Sequence, residues 1–305
     1  MRHFMIIEAP SNLGLKELRP GVEPGVKFLP DALRRHGFAR ETGISQVINV
    51  PAPPYTMDID PESQIRNADG INSYSQLLAE KVCEAVKKDI IPIVIGGDCS
   101  ILIGTALGLR CTGGHYGLFA MDGHHDYMLP AHSGTAGAAG MGLAIVSGNG
   151  HPKLSDIHEL CPYIEEEHIY AYGNRELAPA YVQLITDSQV TYHDLPAIRE
   201  KGIHTITTEF LTMIGHSGLD GFWIHLDVDI LDNNIMPCVD SPEEGGLSYM
   251  ELEDTLAPLI ASGYFRGMHV TILDPTMDPD DRYTRTFSDQ LAGILRPAVK
   301  GLTVR

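Results

Sequence analysis

The stretch Phe119–Tyr127 reads F-A-M-D-G-H-H-D-Y and places Asp122, His124, His125 and Asp126 within five positions at the end of an apolar run. Carboxylates and imidazoles at the end of a buried strand are costly to desolvate unless positive charge compensates them, and a divalent cation does so most completely. Two further apolar runs end in the same manner. Ile91–Ile95 leads into G-G-D-C-S (Gly96 to Ser100), and Gly221–Leu226 leads into D-V-D-I-L-D (Asp227 to Asp232). If the third run is a strand, its period of two puts Asp227 and Asp229 on one face. Together the three ends offer Asp122, His124, Asp126, Asp227 and Asp229, with Cys99 as a sixth candidate ligand. A set dominated by carboxylate with an imidazole suits a hard to borderline ion such as Mn²⁺, and the number of carboxylates suggests two ions. Two such ions generate hydroxide from bound water near neutral pH, which is hydrolase chemistry.

The elements that must hold these residues alternate along the chain. Eight short apolar segments, Phe4–Glu8, Gln46–Val50, Ile91–Ile95, Tyr116–Met121, His168–Tyr172, Gln189–His193, Gly221–Asp227 and Gly267–Leu273, are each followed by turn residues and a stretch of helical period. Helices are expected over Lys27–His36, Asn72–Lys88, Ser100–Leu109, Ala136–Ser147, Glu176–Thr186, Thr205–His216, Tyr249–Ser262 and Ser288–Val299. Such alternation implies an α/β fold in which a parallel sheet is covered by helices on both faces, with its site beyond the carboxyl ends of the strands. The prolines of Pro51–Pro61 fit a surface loop, and with no low-complexity linker or repeat a single domain over 1–305 is the expectation.

Composition narrows the partners. A formal charge of -18 argues against nucleic acid and would mildly favour a cationic substrate. Five cysteines without a C-x-x-C spacing point to a reducing compartment rather than a disulfide framework. The apolar start Met1–Pro10 is too short for a signal peptide and no run reaches membrane length, so a cytoplasmic protein without a membrane partner is expected.

G-G-D-C-S, D-G-H-H-D and H-L-D-V-D-I-L-D, in this order, resemble the three metal motifs of the arginase and agmatinase (ureohydrolase) family, written GGDH, DAHxD and SxDxDxxDP. G-N-R-E (Gly173 to Glu176), G-G-L-S (Gly245 to Ser248) and the strand before Asp274-Pro275 extend the resemblance over nearly the whole chain. It implies a three-layer αβα sandwich with an eight-stranded parallel sheet, and hydrolysis of a C–N bond in a guanidino or amidine substrate through a hydroxide bridging two Mn²⁺ ions. Asp122 and Asp227 would bridge the ions, His124 and Asp229 would complete one site, and Asp126 would bind the other and hydrogen-bond the hydroxide. A homo-oligomer is also implied.

The departures from the family matter as much. Cys99 stands at a histidine position, and a soft thiolate suits Mn²⁺ less well than imidazole, so the second site is weaker, empty or selective for another divalent metal. Three outcomes are open: Cys99 ligates, it fills space beside a single ion, or the site has lost function. A similar GGDCS variant occurs in a branch that includes amidinohydrolases of hydroxylated arginine. The polar hooks for the amino-acid end of arginine are absent, with Met128, the loop Ser133–Gly142, Ala178 and Tyr181 in their places, and Ala139 and Ile272 replace a proton-transfer histidine and a guanidinium-binding glutamate. The expected substrate is therefore not L-arginine. His125, Tyr127, His132, Asn174, Arg175, Glu176, Asp240 and Asp274 remain for the mouth of the site, with His132 the first candidate for general acid because its ordinary pKa is near neutral. Arg175 is expected to pair with Glu176 or Asp240 rather than to receive a substrate carboxylate, and Ser11 and Asn12 to form an ordinary turn rather than to line the pocket. The alternative is a catalytically impaired member that serves as a binding or assembly module.

Overall fold

The computed structural model describes residues 2–301, so Met1 and residues 302–305 of the expected domain span lie outside the described residues. Its centre is one sheet of eight strands, β1 (His3–Ala9), β2 (Gln46–Asn49), β3 (Ile90–Gly96), β4 (Tyr116–Met121), β5 (Ile169–Tyr172), β6 (Thr191–His193), β7 (Gly221–Asp227) and β8 (Phe265–Thr271). They lie in the order β2-β1-β3-β8-β7-β4-β5-β6, and every pairing is parallel. All eight expected strands form, and the expected three-layer α/β architecture is the observed one.

Both faces of the sheet are buried, which is why its strands read as continuous apolar runs. Phe4 and Ile6, Phe119 and Met121, and Ile224 and Leu226 enter one core, while Met5 and Ile7, Leu118 and Ala120, and Trp223 enter the other. The first core is closed partly by the helix Ile203–His216, whose buried Ile206, Phe210 and Ile214 recur every four residues. Phe210 meets Phe119 and Phe222 edge-on with centroids 5.0 Å away, each contact contributing about 0.5–1.5 kcal/mol beyond burial. The second core is covered by Ala68–Lys87 and Ile101–Arg110.

Helix boundaries depart from expectation where glycine or proline intervenes. The glycine-rich stretch after Ser133 forms a 3-10 turn at Ala138–Met141 and a short helix at Gly142–Val146 rather than one helix. The helix expected from Glu176 starts at Pro179, because proline is accommodated at the first helical position and Ala178 before it is extended. The last helix begins earlier, at Arg282, and Phe38–Thr42, Pro152–Ser155 and Leu195–Lys201 are additional short helices. Among the described residues no helix is long and apolar enough to cross a membrane.

Candidate metal centre

The strand order makes β3, β8, β7 and β4 consecutive neighbours, so the three polar strand ends gather around the carboxyl edge of the sheet's middle. Each end is fixed by local hydrogen bonds. After β3, a Cβ on Gly97 would lie 1.5 Å from the Ser11 carbonyl oxygen, so only glycine allows the loops after β1 and β3 to touch. Asp98 is fully buried and accepts from Ser11 Oγ (2.8 Å), Gly14 N (3.1 Å) and Ser100 N (2.9 Å), which ties these loops together. Ser11 thus belongs to the turn, as does Asn12, which donates to the Pro24 carbonyl at 3.1 Å. Cys99, also buried, places Sγ 2.7 Å from Asp227 Oδ2, to which it donates, and 3.1 Å from Thr271 Oγ1.

After β4, Asp122 Oδ1 accepts from His124 N at 2.7 Å, and Gly123 N donates to Asp229 Oδ1 at 2.9 Å. A Cβ at Gly123 would meet that same Asp229 oxygen at 2.9 Å, so glycine permits the approach. Asp126 is held at φ +46, a left-handed conformation uncommon outside glycine. After β7 the backbone turns. Val228–Ile230 is a 3-10 turn in which Asp227 Oδ1 accepts from Asp229 N at 2.8 Å, so capping rather than strand pleat brings the two carboxylates together. His124 Nδ1 then lies 2.9 Å from Asp229 Oδ2.

Two groups of metal-capable donors result, sharing Asp122. One is Cys99, Asp122, His225 and Asp227, the other Asp122, His124 and Asp229, with the donor atoms in each lying within 4.8 Å of one another. Asp126 lines the cavity beside them but belongs to neither group. His225, absent from the expected set, is the fourth member of the buried group. The signal for it was the strand period, since residues 225 and 227 share a face of β7.

The electrostatics of the cluster reflect crowded negative charge. Burial, then the carboxylates of Asp229 and Asp122, pushes the Asp227 pKa well up, and burial with Asp122 does the same to Asp126. Burial, then Asp227, raises the Cys99 thiol. Burial also disfavours the charged Asp122, yet the adjacent imidazoles of His124 and His225 outweigh it and hold Asp122 down. His124 shows the converse, its pKa lifted by Asp229 and Asp122 against the effect of burial. Protons thus take up the charge that a divalent ion would neutralise. Among the described residues, Asp122 Oδ2 and His225 Nε2 are both buried without a hydrogen-bond partner, an arrangement that is expensive for polar atoms and fits donors to a metal.

Above the cluster lies a cavity of about 460 Å³, floored by Cys99, Asp126, Asp227 and Asp229. Of the residues expected at its mouth, only His132 and Asp240 line it, with His132 exposed at the rim. His125 is buried; its Nδ1 accepts from Tyr127 N at 2.9 Å and its ring lies 4.0 Å from that of Tyr181, centroid to centroid. Tyr127 turns away to Glu166, Asn174 bonds Tyr192, and Asp274 accepts from Gly25 N. Arg175 pairs with Glu243 at 3.3 Å, not with Glu176 or Asp240, and donates to the carbonyls of Asp229 (2.7 Å) and Ile230 (2.9 Å). Met128, Ala139, Tyr181 and Ile272 do line the cavity, as do Lys16 and Glu17.

The model of the arginase family matches residues 2–294. The chain belongs to the arginase family. An arginase of Bacillus subtilis is 28% identical over 296 residues, covering 95% of this chain and 96% of that one. The structure of arginase from Bacillus caldovelox superposes with a TM-score of 0.86 at 25% identity and full coverage of both chains. The fold also resembles that of formimidoylglutamase from Bacillus subtilis, with a TM-score of 0.71 at 22% identity over 100% of this chain and 89% of that one. Within the arginase family, Cys99 is this chain's most consequential departure from the GGDH motif, and the structure puts it inside a donor group.

Proposed function

We propose that this arginase-family chain is a metal-dependent hydrolase that cleaves a C–N bond in a guanidino or amidine substrate other than L-arginine, with two Mn²⁺ or related divalent ions bound by Cys99, Asp122, His124, Asp126, Asp227 and Asp229. The observation that carries this reading is the pair of donor groups sharing Asp122 at the floor of an acidic cavity. When bound, such ions polarise water and offset the buried carboxylates.

The chain's own residues supply the rest. Asp126, a buried carboxylate lining the cavity beside the donor groups, would accept a proton from the attacking water. His132 at the rim hands a proton to the leaving amine. Asp240 lines the same cavity, its carboxyl pushed up by burial and by Asp229, and would gain a partner in a cationic substrate. Ala139 and Ile272 present apolar walls, glycines and Thr135 add uncharged surface, and Lys16 and Glu17 are the charged lining residues apart from the carboxylates and histidines already named. Such a lining favours an N-substituted or hydroxylated guanidino group, which accords with the GGDCS resemblance, over a free amino acid whose charges need matching.

The test is a panel of guanidino, N-hydroxyguanidino and formimino compounds, assayed for urea, hydroxyurea or ammonia release by the Mn²⁺-loaded protein. Turnover of at least one member is expected. Silence across the panel with metal firmly bound would refute the substrate class. No more than trace metal after incubation with Mn²⁺, Zn²⁺ or Ni²⁺ would instead favour the binding-module alternative.

A further inference from the structure

We propose that His225 is a metal ligand, and that Cys99, Asp122, His225 and Asp227 form a sulfur–nitrogen–oxygen half-site that takes a borderline ion such as Zn²⁺, chemically distinct from the harder half formed by Asp122, His124 and Asp229. The inference rests on the metal-hydrolase reading but concerns which side chains build its deeper half.

Three observations carry it. His225 Nε2 and Asp122 Oδ2 lie 3.5 Å apart, and neither has a hydrogen-bond partner although both are buried. Donors about 2.0–2.3 Å from one tetrahedral ion stand roughly 3.3–3.7 Å from each other, so this separation is that of two ligands on a common ion. Second, the four donor atoms fall within 4.8 Å of one another, and one thiol, one imidazole and two carboxylates make a four-coordinate set in which sulfur favours Zn²⁺ over Mn²⁺.

Third, the far side of the ring is held by a hydrogen-bond network whose proton direction metal binding would reverse. His225 Nδ1 hydrogen-bonds His269 Nε2, its registered neighbour on β8. His269 Nδ1 in turn faces both the Trp223 indole N–H at 2.8 Å and Thr105 Oγ1 at 3.1 Å. With Trp223 donating, His269 donates to His225, and the remaining His225 proton sits on Nε2 facing Asp122. With the protons reversed, His225 Nδ1–H donates to His269 Nε2 and His269 Nδ1–H donates to Thr105 Oγ1, which strands the buried Trp223 indole N–H. The loss of that one buried hydrogen bond is small beside the free energy released when a structural Zn²⁺ binds. That hydroxyl already donates to the Leu102 carbonyl at 3.1 Å and so has lone pairs to accept. Each ring keeps one proton in both arrangements, and the second frees His225 Nε2 to ligate. A ligating histidine held by a partner on its other nitrogen is the usual second-shell arrangement.

The experiment titrates the metal-stripped full-length chain with Co²⁺ and Zn²⁺, reading near-ultraviolet thiolate-to-Co²⁺ charge transfer, the d–d bands and bound equivalents. Two equivalents are expected, one with the charge-transfer band. Cys99→Ser should erase the band, and His225→Ser should weaken that equivalent more than about 100-fold. Both should leave the equivalent at His124 in place. X-ray absorption on the unaltered protein needs no variant and should count one imidazole per ion. An unchanged Co²⁺ spectrum and affinity in His225→Ser, or one imidazole per two ions in the unaltered protein, would overturn the inference while leaving the hydrolase reading intact. Failure of the unaltered protein to bind either equivalent would refute both.

Discussion

Asp98 stands next to the candidate ligand Cys99 yet faces away from the cavity, and its variants test whether the loops around the centre are held as the hydrogen bonds indicate. Its fully buried carboxylate accepts from Ser11 Oγ, Gly14 N and Ser100 N at 2.8, 3.1 and 2.9 Å. Hydrogen bonds to a charged acceptor contribute about 1.5–3 kcal/mol each, and a stranded buried donor costs about 1–3 kcal/mol. Part of this loss is recovered, because the Ser11 hydroxyl can rotate and the loop keeps Asn67 Nδ2 on the Leu13 carbonyl (2.9 Å) and Tyr55 on the Leu15 carbonyl (3.0 Å). Asp98→Ala is therefore expected to destabilise by about 3–5 kcal/mol. At roughly 2–4 °C per kcal/mol, this lowers Tm by about 6–20 °C. Asp98→Asn keeps Oδ1, which serves both Gly14 N and Ser100 N, and should cost only about 1–2 kcal/mol. Urea denaturation of both variants, with Tm as a second probe, gives the comparison. Gly14 lines the cavity and its carbonyl accepts from Ala139 N at 3.2 Å, so substrate KM should rise in Asp98→Ala while bound metal stays near the unaltered value. Equal losses in the two variants, or an alanine variant within 1 kcal/mol of the parent by the ~1 kcal/mol scale of one ordinary hydrogen bond, would refute the account.

Metal stabilisation should grow with pH. Asp126, Asp227 and Cys99 have raised folded-state pKa values, so without metal the stability of their protonated forms is present at low pH and is lost as pH rises through those values. A bound cation favours the deprotonated forms, and the stability gap between loaded and chelator-treated protein, read by urea denaturation, should widen from about pH 5 to pH 8, reaching about 2.7 kcal/mol where free metal is 100 times Kd. A gap independent of pH would contradict proton competition. Asp227→Asn should weaken the equivalent on the Cys99 side by more than about 100-fold, checked by metal analysis, while its amide oxygen still accepts from Asp229 N. Asp240→Asn should lower kcat/KM for a cationic guanidino substrate by about 10–100-fold and leave that for a neutral analogue nearly unchanged.

The fold was legible because eight apolar segments alternate with helical ones, and the donors from β3, β4 and β7 were legible because polar residues end those strands abruptly. Three things escaped. The mouth of the cavity did, because Tyr127, Asn174, Arg175, Glu176 and Asp274 lie close in sequence to the site but spend their polar atoms on neighbouring backbone and side chains, and only the three-dimensional fold reveals that competition. The Ala136–Ser147 segment breaks up because its glycines weaken helix more than its alanines favour it. His225 is inconspicuous because it sits inside an apolar strand two residues before a carboxylate pair.

The neglected strand is β8, and topology explains why it matters. In the order β3-β8-β7-β4 it lies between the strands carrying Cys99 and Asp227, although it comes last of the eight in the chain and carries none of the three metal-type motifs. Register places Thr271 beside Asp227 and His269 beside His225. Thr271 Oγ1 donates to the Leu226 carbonyl at 3.3 Å and lies 3.1 Å from Cys99 Sγ, while Ile272 N donates to the Gly97 carbonyl at 2.7 Å. Ile272 achieves that bond at φ +76, a conformation a β-branched residue adopts only under constraint, at a cost of about 1–3 kcal/mol. The strain sits where β8 clasps the loop bearing Cys99 and where Ile272 forms the cavity wall. Relative placement of the thiol, the two histidines and the carboxylates is therefore set by β8 as much as by the strands that carry them, and substitutions along His269–Ile272 should alter metal preference before they alter the fold.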